Sequence, residues 1–290
     1  FEREGYHLAP ADKDNPTGAL TIDGIVYNEM KGAFSDPESR LYRCSRTLVE
    51  DTIYGRESGG DPQHIPELTY TDFARFHKTF YHPSNACVFL YGNIATEDYF
   101  AFLADRLNDF DRTDLVPEIT CQPRWQAPRR VTDSYPIGKD ESDTAKTFLL
   151  LTWLVGSGTD PAETLAFEVL HRVLLGHEAA PLRKAIIDSK LGQDLTFTGY
   201  WPIGLESAFA VGLKGSEPER EHAFIEVATR ALADAAESRI DRDSVQAALQ
   251  QAAYHYLEVL PAFPLHTMMR ALTAWRYGGD PLTFLTMREH

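Results

Sequence analysis

Along the first part of the chain, hydrophobic positions recur at helical spacing. Ile22, Ile25, Val26, Met30, Ala33 and Phe34 mark one stripe, which predicts a helix over Ile22–Phe34 with its apolar face buried. An irregular, acidic and proline-bearing lead, His7–Gly18, precedes it. Asp36 followed by Pro37 opens a second predicted helix, running toward Asp51, because proline at the first helical position gives up only an N–H that has no intrahelical acceptor. Gly59, Gly60 and Pro62 break any period in Tyr54–Leu68, which reads as a loop. A third helix starts from Thr69 or Thr71 and stops before Pro83. The nearly uninterrupted apolar run Asn85–Ile94, ended by Gly92, reads as a strand covered on both faces, and Thr96–Phe110 as another helix.

The second half has a different texture. Asp111–Arg130 carries Pro117, Pro123 and Pro128 with no period, which suits an interdomain linker. Beyond it, Arg129–Ile137 and Ala145–Gly156 read as strands, Asp160–Gly176 as an amphipathic helix, and Ala180–Gly192 as a shorter one ended by Gly192. Asp194–Pro202 and Glu206–Gly215 form a predicted strand pair, followed by two long helices over Glu217–Ile240 and Asp241–Leu260. The pattern predicts an α+β fold with helices packed on one face of a largely antiparallel sheet. It divides the chain into residues 1–111, a linker at 112–130, and an α+β domain over 131–290 that is incomplete at its C-terminus.

Composition narrows the classes. A length of 290 residues with 43% hydrophobic content is enough for about two cores. The net charge of −15, with no Lys/Arg run, leaves no basic face for phosphates; a nucleic-acid partner is not expected, and cationic partners are favoured. The apolar run from Phe148 is of strand length, so no membrane span is expected. Cys44, Cys87 and Cys121 lack any CxxC spacing, and reduced thiols in a cytosol-like or organelle-matrix-like compartment follow. The opening on Phe1, with no leader pattern, reads as a piece of something longer.

Most catalytic signatures are absent: GxSxG, a Walker loop, GxGxxG, HExxH and HxxEH do not occur. His77 and His82 are five apart across a helix end and do not share an i,i+4 face, and His171 and His177-Glu178 lie six apart near a helix end, so structural or surface roles are expected for them. Glu29 stands out because it falls inside the apolar stripe, four residues from both Ile25 and Ala33. An ion pair with a buried Arg, a stripe-edge carboxylate reaching water, a helix that begins elsewhere, and a metal ligand are all compatible with that position.

Two long segments, Phe1–Arg43 with its "GIVYNEMKG" and Ser58–Ile94 with its "HKTFYHPSNACVFLYGNI", resemble the presequence-protease branch of the insulinase-like (M16) zinc metallopeptidases. "TFLLLTWLVG", "APLRKAIIDSKLG" and "FAVGLKG" are similar to that family's second domain, with weaker motifs. The resemblance implies that residues 1–111 are the C-terminal part of a catalytic domain. It implies one Zn2+ held by two His of an upstream HxxEH helix and a distal Glu, with Glu29 at the distal position. Zinc in such a site lowers the pKa of bound water to about 7. No catalytic residue is expected within this chain, since the general base would lie before Phe1. By resemblance the intact enzyme degrades unstructured peptides, targeting presequences included, and the chain alone is inactive. A noncatalytic M16-like scaffold or a peptide-binding module is the alternative.

Overall fold

The computed structural model describes residues 4–114, 119–238, 240–259 and 261–281. Pro117 of the predicted linker, together with Arg239 and Leu260 in the predicted ends of the last two helices, lies outside them.

The main sheet has three antiparallel strands in the order β3-β5-β4, comprising β3 (Thr147–Ser157), β4 (Asp194–Ile203) and β5 (Glu206–Ser216). β5 sits in the centre with Ala208, Ala210, Val211 and Leu213 wholly buried. Its residues alternate between faces with a period of two. Phe209, Val211 and Leu213 join Leu149 of β3 and Leu195 of β4 in one core. Helices α5 (Pro161–Leu175), α6 (Pro181–Asp188) and α7 (Glu221–Glu237) close that core with Leu174, Leu175, Leu182, Ile186 and Phe224. Full burial of each such side chain contributes about 1.5–3 kcal/mol, so this face dominates the stability of the fold.

Two small helices lie earlier in the chain, α1 (Ile25–Ala33) and α2 (Pro37–Ser45). As the cap residues predict, Asp36 accepts the Ser39 N–H at 2.7 Å and Pro37 occupies the first turn of α2. α2 lies against β3 and β4, and its Tyr42 ring meets Phe197 of β4 edge-on at 5.5 Å. α3 (Tyr70–Phe80) starts from Thr69, whose hydroxyl accepts the Asp72 N–H at 3.1 Å, and α4 (Thr96–Leu107) follows. α8 (Arg242–Leu257) packs on α5, and α9 (Phe263–Arg276) returns its C-terminal end toward Tyr54.

The α+β class and the β4–β5 pair are as predicted, and so are α2, α3, α4, α5, α7 and α8 apart from their ends. Five details differ. The acidic lead is a hairpin: β1 (His7–Pro10) pairs with β2 (Leu20–Asp23), placing Ile22 in a strand and starting α1 at Ile25. Ala86–Tyr91 forms no ladder, and Val88, Phe89, Leu90 and Tyr91 are exposed, since no strand of the described residues lies beside them. Arg129–Ile137 is likewise irregular. α6 ends before Gly192, because Lys190 adopts a left-handed φ of 55° and its N–H turns back to Ile187 O. α9 has no counterpart among the predicted elements.

Candidate functional site

The placement of Glu29 begins at Gly24. A Cβ on that glycine would lie 2.4 Å from Gly5 O and 2.7 Å from Tyr6 Cα, so only glycine lets the β2–α1 elbow press against the incoming chain. Two amides of the first helical turn then find acceptors upstream, Val26 N–H on Glu4 O at 2.7 Å and Tyr27 N–H on Gly5 O at 3.2 Å. Met30 and Phe34 are the buried side chains of α1's inner face and meet Ile65, with Tyr6, Val26, Tyr27 and Ala33 around them. The buried stripe is therefore Val26, Met30, Ala33 and Phe34, narrower than the sequence pattern.

Glu29 falls just outside it. The expectation that its carboxylate faces the core is corrected: Glu29 is exposed, on the same side as Ile25, which is 64% exposed. Counting Ile22 and Ile25 into the stripe shifted the inferred face by about one residue, or roughly 100°. Of the alternatives open at the sequence level, the carboxylate that reaches water and the later helix start describe what is seen. No hydrogen bond or ion pair engages the Glu29 carboxylate among the described residues.

On the inner side of α1, Met30 and Ala33, the following Phe34, and Asp36, Ser39, Tyr42 and Arg43 beside or within α2 line an open cleft of ≈ 440 Å³. Its charges are mutually engaged. The Arg43 guanidinium sits 3.2 Å from the centroid of the Phe34 ring and contacts Glu57 at 3.6 Å and Asp61 at 3.3 Å, while Arg46 reaches Glu57 at 3.4 Å. Lys214 of β5 meets Glu38 at 3.0 Å on the rim. The Ser39 N–H holds the Asp36 carboxyl below the usual range. A cleft so neutralised is suited to apolar or aromatic groups more than to a bare charge.

The other sequence candidates do not converge. His77 is exposed and stacks on Tyr81 at 4.6 Å. His82 Nδ1 accepts the Ser84 N–H at 3.2 Å, a cap-like local role. His171 is half-buried against β4, and burial pushes its pKa down, whereas His177 and Glu178 are exposed. Cys44 is half-buried, with its thiol pKa raised by burial, and Cys87 and Cys121 are exposed; all three are free. Among the described residues no group of three His, Cys, Asp or Glu side chains could hold a metal ion. These residues alone do not fit a zinc centre, and Glu29 can offer one carboxylate to it. No helix of the described residues is long and apolar enough to cross a membrane.

Sequence patterning gives no hint of Gln122, Glu206 or Tyr54. Gln122 and Glu206 are buried polar residues, and Tyr54 lies against Gly204 and donates or accepts a short hydrogen bond with Tyr277. Their partners are 71 to 223 residues away in sequence, so no local signal marks them.

A family profile described as "Peptidase M16 inactive domain" matches residues 67–252. The chain is 36% identical to Protein HypA of Clostridium perfringens over all of its length and 30% of that protein. It is 32% identical to presequence protease 1, chloroplastic/mitochondrial, of Arabidopsis thaliana and to the mitochondrial presequence protease of Xenopus laevis, again over its whole length and 27% and 28% of theirs. It thus spans less than a third of these relatives. In three dimensions it resembles a protease from Helicobacter pylori with a TM-score of 0.70 at 16% identity, covering 91% of this chain and 63% of that one. It also resembles a peptidase M16 inactive domain from Pseudomonas fluorescens, with a TM-score of 0.63 at 18% identity over 91% and 62% of the two chains. With the profile covering well over half of its residues, this chain belongs to the M16 peptidase family.

Proposed function

We propose that this chain is one part of a zinc-dependent peptidase that degrades unstructured, presequence-type peptides, with Glu29 contributing a single metal ligand. The observation that carries the reading is the exposed Glu29 carboxylate. It stands on a helix fixed by Gly24 and by the Met30–Phe34–Ile65 core, with no protein partner among the described residues. A divalent cation held jointly with residues elsewhere in the polypeptide would engage that carboxylate. Zinc so bound would supply the acidified water that peptide hydrolysis needs. The role of these residues is to hold α1 in place and to present one oxygen ligand.

The remaining domains of the same polypeptide are the proposed partners of α3, α4 and Ala86–Tyr91. α3 and α4 bury none of their residues, and Phe73, Phe76, Phe89, Leu90, Phe100 and Phe102 are exposed. An apolar surface of this extent marks an interface. The charge of −15 favours encounter with cationic peptides. The compartment we propose is a reducing, organelle-matrix-like or cytosolic one, in keeping with the three free cysteines and the mitochondrial and chloroplastic relatives.

A second reading, a noncatalytic M16-like scaffold, is favoured by the profile's own description as an inactive domain. Glu29→Gln in the full polypeptide separates the two. As a ligand change it is expected to lower zinc content and turnover of an unstructured peptide together, by more than the roughly 10–100-fold typical of outer-shell changes. Zinc content unchanged by elemental analysis would remove Glu29 from the site. Absence of chelator-sensitive hydrolysis by the unmutated polypeptide would favour the scaffold. The 290-residue chain alone is expected to cleave nothing, and chelator-sensitive cleavage by it would overturn the division of ligands.

A further inference from the structure

The irregular stretch from Cys121 to Asp133 is held more tightly than a tether would be. Gln122 is only 3% exposed. Its N–H donates to Glu206 Oε2 at 2.7 Å, its Oε1 accepts the Asp51 N–H at 3.0 Å, and its Nε2 donates to Asp51 Oδ2 at 2.6 Å. Glu206 is itself 4% exposed, at the first position of β5, and Arg124 stands 3.0 Å from its other oxygen. A carboxylate so buried is stable only while such partners are in place.

Further anchors follow on both sides. Trp125 Nε1–H donates to Leu48 O at 3.2 Å, and Arg129 pairs with Glu50 while lying 4.2 Å over the Trp125 ring. Arg130 makes a two-pronged contact with Glu221 of α7 at 2.6 and 2.8 Å, and Arg40 of α2 pairs with Asp133 at 2.9 Å. One set of contacts reaches the α2 side, through Arg40, Leu48, Glu50 and Asp51. The other reaches the sheet and α7, through Glu206 and Glu221.

We infer that residues 121–133 are a clasp, pinned by Gln122, that locks the α2 segment onto the β3–β5 sheet, and that it does so independently of where α3 and α4, looped out between its two ends, come to dock. The Asp51–Gln122 contact joins positions 71 apart in sequence. Between them, α3 and α4 bury no residue, so the sheet's integrity does not depend on where they lie. Closing that long loop is entropically costly, and the four hydrogen bonds and ion pairs around Gln122 and Trp125 offset it. A flexible linker, by contrast, would leave its backbone hydrogen-bonded to water.

Hydrogen exchange followed by mass spectrometry on the full polypeptide tests this. Peptides over 48–54 and 119–125 should be protected to the same degree as those over 207–214. Gln122→Ala keeps the backbone N–H to Glu206 and removes both Asp51 bonds; Gln122→Glu sets a second carboxylate against Asp51. Each should speed exchange at 48–54 and 119–125 about tenfold or more, the scale of a lost buried hydrogen bond, with 207–214 unchanged. If Gln122→Ala does not fold, Trp125→Phe, which removes the single bond to Leu48 O, should give a smaller loss in the same two peptides. Fast exchange at 48–54 in the unmutated protein, no change in any variant, or a loss spread evenly over β3–β5 would each overturn the clasp.

Discussion

His171 occupies the space that a side chain at Gly199 would need: a Cβ built on Gly199 falls 2.2 Å from Nδ1 and 2.3 Å from Cε1 of the imidazole. Gly199 also has a φ of +116°, at the point where β4 loses and regains register with β5 between Thr196 and Gly199. The ring of α5 and the bulge of the edge strand are thus fitted to one another.

Gly199→Ala meets both obstacles, a strained backbone and a rigid ring. Overpacking and strain each cost about 1–3 kcal/mol, so the substitution should destabilise the chain by about 2–4 kcal/mol. Urea unfolding measures it as a lower midpoint at unchanged slope. The double variant Gly199→Ala, His171→Ala should recover part of the loss. A single variant as stable as the parent would show that α5 stands further from β4 than described.

The same histidine should give the chain an acid-sensitive component. Burial, and secondarily Arg172 beside it, lower the His171 pKa from its ordinary value of 6.5. Below that value the unfolded chain takes up a proton that the folded chain does not, so folding stability rises with pH through the window between the lowered pKa and 6.5. On acidification the chain should lose stability from about pH 6.5 downward. Nδ1 is buried with no hydrogen-bond partner, which leaves the imidazolium nothing to donate to at that atom. His171→Asn should flatten this part of the stability profile, measured as urea midpoints from pH 7.5 to 5.5. Parallel profiles for parent and variant would exclude His171 as the cause.

Features set by local chemistry were legible in the sequence. Asp36 with Pro37, and Thr69, start helices where they should, because a cap is an interaction among four consecutive residues. The β4–β5 pair was legible because its apolar runs flank a short turn. The β1–β2 hairpin was not, since Leu8 and Leu20 are exposed and leave no alternating pattern. α9 was missed for a related reason: Leu265, Met269 and Trp275 are exposed, and only Ala274 is buried. At Glu29 the residue was identified and its face was not, because Ile25 is apolar without being buried. Gln122 depends on Asp51 and Glu206, whose distance in sequence no window spans.

The exposed run Ala86–Tyr91 should make the isolated chain associate. Val88, Phe89, Leu90 and Tyr91 are 41–74% exposed, neighbours on one extended stretch, and adjacent Ile94 is 57% exposed. Their backbone groups pair with no strand of the described residues. Uncharged, β-prone and free of proline over six residues, such a segment is a template for strand addition by another molecule. The chain should therefore show concentration-dependent association in size-exclusion chromatography with light scattering. Val88→Glu with Leu90→Glu puts two like charges on one face of that stretch, so antiparallel or parallel pairing would bring carboxylates together. The double variant should elute as a monomer at concentrations where the parent does not. Its unfolding free energy should stay within about 0.5 kcal/mol of the parent's, as for surface changes away from the core. A parent chain that is monomeric throughout, or a variant that associates equally, would place the sticky surface elsewhere, with the exposed aromatics of α3 and α4 as the next to substitute.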